Sequence, residues 1–544
     1  MNVNQPKYLR TNWFVIPMMF LFFIILLITA WLSDDAYITL RTVDNFINGY
    51  GLTWNIEERV QTFTHPLWTM LLIVFQLITR EAYFTSIVLS AAVSLLAFYI
   101  LISRLSISAA NSIIAGLILI FSKAFIDYST SGLENPLSHL LIVLFYVIYF
   151  NYGSGQKKIF FLSLIVSFAA LNRLDIIIIL LPSLFLFFYN IKDKIKSLPM
   201  VLAGLIPFFL WELFSIFYYG FPFPNTAFAK LNTGISRSEL IEQGFLYLLD
   251  SLYMDPLTFF SLIILLLLPL VKRKPELIPI SLGVGLYLIY VVYIGGDFMS
   301  GRFLTVPLFT ETILLSRIEI KSNKLLLFLS AAIIVMGFFS PRPNLLNSPS
   351  YSLGPKIING FRFGPTIVGM KNGITDERFW YYENTGLLNN LSEKKIDRHP
   401  WAKHGIKIKE TKIHLVVKAT VGLFGFYAGR NVQIVDQYAL TEPLLARLPA
   451  TEYWLIGKEK PAGEKFWRIG HFARKIPDGY LETLKRGENK IVDPSLAKYY
   501  EKLSIIIKSD LWDLNRLKEI WNFNTGKYDY LVDSYSKTLN QNSD

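Results

Sequence analysis

Trp13 to Leu32 forms an almost unbroken apolar stretch, preceded by Lys7 and Arg10 and closed by Ser33-Asp34-Asp35. A run of about 20 apolar residues is long enough to cross roughly 30 Å of hydrocarbon as a helix. A signal peptide has a shorter apolar core and a small-residue cleavage site, so this stretch is expected to be a retained anchor. Ten further apolar runs predict spans at 82–103, 107–123, 136–152, 159–172, 174–190, 198–219, 255–271, 276–294, 302–316 and 323–340. Pro66 to Thr79 is also apolar, but it is short and opens with proline, which suits an interfacial or re-entrant helix better than a crossing.

Loop charge supports leaving 66–79 out of the count. One side then collects Lys7, Arg10, Arg104, Lys157, Lys158, Lys192, Lys194, Lys196, Lys272, Arg273, Lys274, Arg317, Lys321 and Lys324 against only Asp193, Glu276 and Glu319. The short loops of the other side carry eight basic and 14 acidic residues. The positive-inside rule makes the first side cytoplasmic. Eleven spans put the N-terminus inside and everything after Ser340 outside.

The remainder, 341–544, is long enough for one folded domain. Strands are expected at Ile413–Val417, Val432–Val435 and Tyr453–Ile456, and helices at Glu442–Leu448 and Pro494–Ile507, which together read as α/β. The glycine-rich run Gly422 to Gly429 lacks the spacing of a nucleotide-binding loop and reads as a turn. The expected organisation is a membrane domain over 1–340, with a first outer loop at 34–80 carrying the interfacial helix, and a soluble extracytoplasmic α/β domain over 341–544.

Composition agrees: 53% of the 544 residues are hydrophobic and 17% charged, which excludes disordered and ordinary soluble classes. The absence of cysteine removes disulfides, thiolate metal sites and thiol nucleophiles. Of the net charge of +12, the tail carries +9, with 31 basic and 22 acidic residues, so the charge is not read as a nucleic-acid signal.

The polar clusters that interrupt the apolar runs all fall on the outer side, as in a membrane enzyme whose cavity opens outward. A transporter or flippase would need ionisable groups near mid-membrane, and only Glu212 and Glu311 are placed there. Asp34 and Asp35 lead an amphipathic stretch. Helix capping explains one aspartate but not two, because adjacent residues point in different directions. Arg41, Arg59, Arg173 and Arg302 are candidate anion binders, although an arginine near the end of a span also snorkels to the interface. Arg173 beside Asp175 reads equally as an ion pair, and Asp297 with Arg302 raises the same choice. Trp31, Trp54 and Trp68 read as interface-belt residues. His65 has no ligand partner nearby, and Asn225 and Lys230 are placed to reach a polar substrate from the loop 220–254. A divalent cation is compatible with the outer acids, but no ligand spacing requires one.

The run Asp34-Asp35-Ala-Tyr-Ile-Thr-Leu-Arg41, followed by Gly49-Tyr-Gly51-Leu-Thr-Trp-Asn55, Glu58-Arg59-Val60 and Thr64-His-Pro66-Leu-Trp68, resembles the first outer loop of GT-C-type glycosyltransferases. Within that class the chain looks most like the bacterial terminal β-(1→2)-arabinofuranosyltransferases. Thr130 to Pro136, Arg173-Leu-Asp175, Pro224-Asn-Thr226, Gly296-Asp-Phe-Met299 and Gly301-Arg302 follow in the same order. So do Leu440 to Arg447, Arg468-Ile-Gly470-His471 and Pro477-Asp-Gly-Tyr480. Relatives commonly have Glu at Gln61, Ser at His65 and Thr-Arg-Pro-Asp at 172–175, departures that touch the identity of the sugar more than the class.

The resemblance implies a polyprenyl-phosphate sugar donor, an envelope-glycan acceptor and a bacterial cytoplasmic membrane, with the active site extracytoplasmic, membrane lipids as partners and no nucleic acid. It implies Asp34 and Asp35 as the catalytic pair. Arg41, Glu58, Arg59, His65, Trp68, Glu134, Asn135, Arg173, Asp175, Asn225, Lys230, Asp297 and Arg302 are the expected donor-phosphate and substrate contacts.

Overall fold

The computed structural model describes residues 13–153, 155–231, 233–338, 356–358, 361–363, 370–391, 393–450 and 466–541. They are largely helical and divide into two compact units. One comprises the chain up to Ser33 with Glu81–Phe208 and Arg237–Ile396, the other Asp34–Arg80, Phe209–Ser236 and the chain from Asp397. These units do not follow the expected boundary at residue 340: the segment 370–396 belongs to the first, and the outer loop 34–80 belongs to the second.

A helix stands at each of the eleven predicted spans, from Val15–Thr29 to Asn323–Phe338. Among the described residues three stretches are long and apolar enough to cross a membrane: Tyr83–Leu105, Lys194–Tyr218 and Pro275–Tyr293. Two more qualify only as pairs, Val15–Thr29 with Asp34–Ile47, and Arg237–Met254 with Pro256–Val271, the latter bent by 114°. The helix Arg237–Met254 was not anticipated, because its charged first turn and polar face hide it in an otherwise hydrophilic loop.

Close backbone approach packs the first unit. A Cβ on Gly283 would stand 2.1 Å from the Ile179 carbonyl oxygen, and one on Gly244 would stand 2.3 Å from that of Val292. Small residues at such crossings let apolar helices gain dispersion contact where water offers no hydrophobic drive. The segment 370–391 is held to the short helix Lys123–Asp127 by two buried ion pairs, Lys123 with Asp376 and Arg378 with Asp127.

In the second unit, Pro66–Thr79 is a helix with the expected bounds. Leu415–Lys418 and Gln433–Asp436 pair in parallel, close to two of the predicted strands, and Pro494–Lys508 matches its predicted helix. Tyr453–Ile456 lies outside the described residues. Two expectations are corrected. Glu442–Leu448 is not a helix but holds a single 3₁₀ turn, Leu445–Arg447: the Pro443 carbonyl, which an α-helix would offer to the Arg447 amide, accepts from the Arg447 guanidinium at 2.7 Å, and the amide bonds the Leu444 carbonyl instead. Gly422–Ala428 is a helix rather than a turn, and it forms the crossover that parallel strands require.

Candidate functional site

In the second unit the glycine helix rests on the start of Asp34–Ile47. A Cβ on Gly422 would lie 1.9 Å from the Asp34 carbonyl oxygen, and one on Gly425 would lie 2.8 Å from the Trp54 ring, so both positions exclude side chains by contact. The Asp34 carboxylate accepts hydrogen bonds from the backbone amides of Leu423, at 2.7 Å, and Gly422, at 3.3 Å. It therefore caps the first turn of a helix other than its own, satisfying amides that would otherwise be orphaned. Burial pushes Asp34 up to about 7, against the pull of the Leu423 amide, while Asp35 and Asp436 push the same way as burial. Asp35 occupies the next helical position and is only partly buried. The pair is thus unequal in burial, and as adjacent helical positions the two carboxylates point to different sides.

Asp436 ends the second parallel strand. It is fully buried, accepts from the amides of Tyr438 at 2.9 Å and Thr441 at 3.1 Å, and is raised to about 6 by burial. Beyond it a basic group assembles. The Tyr438 ring packs on His471 with centroids 4.9 Å apart, and the His471 amide closes a turn on the Arg468 carbonyl. Arg474 ties this loop to the helix Asn225–Leu231 through the Ala229 carbonyl at 2.7 Å, which brings up Lys230. Burial, reinforced by the charges of Arg468 and Lys230, holds His471 well below its ordinary range, so its imidazole is neutral. Sequence reasoning gave no role to Asp436, Tyr438, Arg468 or His471. The Arg468-Ile-Gly-His471 motif was the available signal.

Other predicted residues of this unit serve the fold. Arg41 donates to the carbonyls of Trp54 (2.8 Å), Val432 (2.8 Å) and Gly425 and stacks on the Trp54 ring at 4.4 Å. Its guanidinium is spent on backbone rather than held for an anion. Arg59 donates to carbonyls at the end of Pro494–Lys508. Glu58 accepts from Asn55 at 3.0 Å and is raised by burial. Glu442, bonded by the Tyr480 hydroxyl, is raised by burial and by Glu58. Asn225 donates to the carbonyls of Ala439, Leu440 and Glu442, a clasp rather than a substrate contact. His65 is buried, with Nε2 at 2.9 Å from the Thr39 hydroxyl. Trp54 and Trp68 are 0% exposed, as is Trp31 in the first unit, which corrects the interface-belt reading for all three.

The first unit gathers the rest. The Glu134 carboxylate, completely buried, accepts from Arg173 at 3.1 Å and Arg302 at 3.0 Å. Arg173 also grips Asp175 through Nε at 2.9 Å, and Asp297 lies 3.6 Å from Arg302. Asn135 donates to the Thr305 hydroxyl at 3.0 Å. Arg173 and Asp175 are therefore not a private pair but part of a network in which two guanidinium groups meet three carboxylates. Such a network locks three chain segments together and presents no excess positive charge to a phosphate. Among the described residues no group of three or more acidic, histidine or cysteine side chains could hold a metal ion.

No family model matches the chain. It is 25% identical over 520 residues to the terminal β-(1→2)-arabinofuranosyltransferase of Mycobacterium tuberculosis, an alignment covering 79% of this chain and 80% of the relative. It is 27% identical over 333 residues to the protein of the same name from Corynebacterium glutamicum, covering 51% and 46%. Among solved structures, ArnT from Cupriavidus metallidurans bound to undecaprenyl phosphate aligns with a TM-score of 0.42 and 12% identity over 82% of this chain and 92% of that one, a likeness too slight to argue from. The resemblance read from the motifs is borne out: the chain is similar in sequence to these arabinofuranosyltransferases.

Proposed function

We propose that this relative of the terminal arabinofuranosyltransferases is a polytopic membrane enzyme of GT-C-like architecture. On this reading eleven spans cross a bacterial cytoplasmic membrane and the tail folds on the outer face. The enzyme transfers arabinofuranose from a polyprenyl phosphate to an envelope glycan. The enzyme class, glycosyltransferase, rests on the similarity to two such enzymes, over 79% of the chain for one and 51% for the other. The lipid donor follows from the outward-facing polar clusters, since nucleotide sugars are cytoplasmic.

The observation that carries the mechanism is the inequality of Asp34 and Asp35. Asp35 takes the proton of the acceptor hydroxyl as its oxygen bonds to the anomeric carbon. The bond from that carbon to the phosphate oxygen breaks, and polyprenyl phosphate leaves with the electron pair. Asp34 is a positioning residue that fixes the first turn of its helix against the glycine helix, and its field, when ionised, favours the oxocarbenium charge of the transition state. Lys230 and Arg468, which are close enough for both charges to act on His471, receive the donor phosphate through charged hydrogen bonds.

Two measurements with purified enzyme and lipid-linked arabinose test this. Asp35→Asn is expected to lower kcat by about 10²–10⁴-fold, the usual worth of a general base, with donor KM little changed. Retained turnover would end the assignment. Lys230→Ala and Arg468→Ala should each raise donor KM, by roughly 10–100-fold if each makes a charged hydrogen bond worth about 1.5–3 kcal/mol. Unchanged KM in both would place the phosphate elsewhere.

A further inference from the structure

The helix Leu514–Asn524 buries one face, with Arg516, Glu519, Ile520 and Asn522, and turns another outward. That outer face is apolar: Leu514 is 81% exposed, Trp521 71%, and Trp512, just ahead of the helix, 75%, with Leu517 between them. Positions 514, 517 and 521 follow the spacing of one helical stripe. Two tryptophans and two leucines left in water on a folded unit are costly unless something covers them.

The attachment of this helix indicates what does. Arg516 donates to the Tyr218 carbonyl at 2.9 Å, Asn524 donates to that of Gly220 at 2.8 Å, and the Trp512 ring lies 4.8 Å from that of Phe217. All three contacts are to the last residues of Lys194–Tyr218 or the turn after it. That helix is 25 residues long, apolar and little buried, with Leu210 60% and Leu213 65% exposed. The end of a span marks the level of the headgroups, where tryptophan is enriched. The apolar stripe begins at that level, continuous with the span's exposed side through the Phe217–Trp512 contact.

We infer that Leu514–Asn524, with Trp512, is a membrane-surface element that seats Trp512, Leu514, Leu517 and Trp521 in the outer headgroup layer, next to the end of Lys194–Tyr218. This rests on reading Lys194–Tyr218 as a span. The exposed Lys518 on the same helix would meet anionic headgroups.

The chain has no cysteine, so single substitutions give unique labels. The full chain carrying Leu514→Cys or Trp521→Cys is labelled with an environment-sensitive fluorophore and placed in phosphatidylcholine–phosphatidylglycerol vesicles. Quenching is then measured with nitroxide lipids and with aqueous iodide. Leu213→Cys serves as the span reference, and Lys485→Cys, on an exposed polar helix, as the aqueous one. Labels at 514 and 521 are expected to lose most of their emission to the nitroxide lipids, as at 213, and the label at 485 to iodide. Iodide quenching at 514 and 521 with lipid quenching at 213 would overturn the inference and leave the proposed function standing. Shielding of 514 and 521 from both quenchers would mean a second protein surface covers the stripe and would equally overturn it. Absence of lipid quenching at 213 would remove the span reading, and the inference with it.

Discussion

Capping by the Asp34 carboxylate reaches a helix 388 residues further along the chain. Its protonation is therefore linked to folding. With the group raised from 3.8 to about 7, the folded state keeps a proton that the unfolded chain releases. This contribution is complete below about pH 4 and is lost as pH rises through about 7, a difference on the order of 4 kcal/mol between the limits. Thermal unfolding of the parent in detergent is expected to weaken from about pH 5 to about pH 8 relative to Asp34→Asn, whose amide stays neutral. Parallel pH profiles for the two would contradict the linkage. That one aspartate does something other than cap its own helix was legible in the sequence, because two adjacent acids cannot both cap one helix. The division of labour was not, because neighbouring residues cannot reveal amides supplied from so far away.

The glycine helix owes its place to what it lacks. With the Asp34 backbone in the way, Gly422→Ala forces either the helix or the aspartate to move, at a cost of about 1–3 kcal/mol for overpacking. We expect this variant to lower both the unfolding midpoint and turnover, while Gly487→Ala, which meets nothing within 4 Å but has a positive φ, should cost stability alone. Equal activity loss in both would remove the glycine helix from the argument. The run was misread as a turn because seven residues with two glycines carry little helix propensity. Tertiary contact, with Arg41 and Trp54 beneath it, supplies what propensity does not. The parallel strands flanking it were legible from their β-branched runs, and Pro494–Lys508 from its apolar period. The basic group of Lys230, Arg468 and His471 was not, since its members come from separate segments.

Across the whole molecule, apolar run length located the helices well, because eleven runs and eleven helices coincide. Run length does not decide how many cross, since several helices are short enough to need neighbours or bilayer thinning. Topology can be tested on the cysteine-free chain. Lys157→Cys and Lys272→Cys should react with a membrane-impermeant maleimide only after the cells are opened, and Lys409→Cys in intact spheroplasts. Reaction at 157 and 272 but not at 409 in intact spheroplasts would reverse the proposed orientation, and reaction of all three would void it. Charge counting is the basis of that proposed orientation; the two compact units were not legible, because they interleave segments hundreds of residues apart.

Because the first residue of the Asp34–Ile47 helix is anchored by amides at 422 and 423, this early helix and the late strands belong to one compact unit. A chain terminated before Asp397 would leave a buried acid, the Arg41 guanidinium and the Trp54 ring without the backbone that accommodates them. The tail is accordingly no detachable module, and shortened versions made to simplify expression would discard the support of the very residues such work would set out to study.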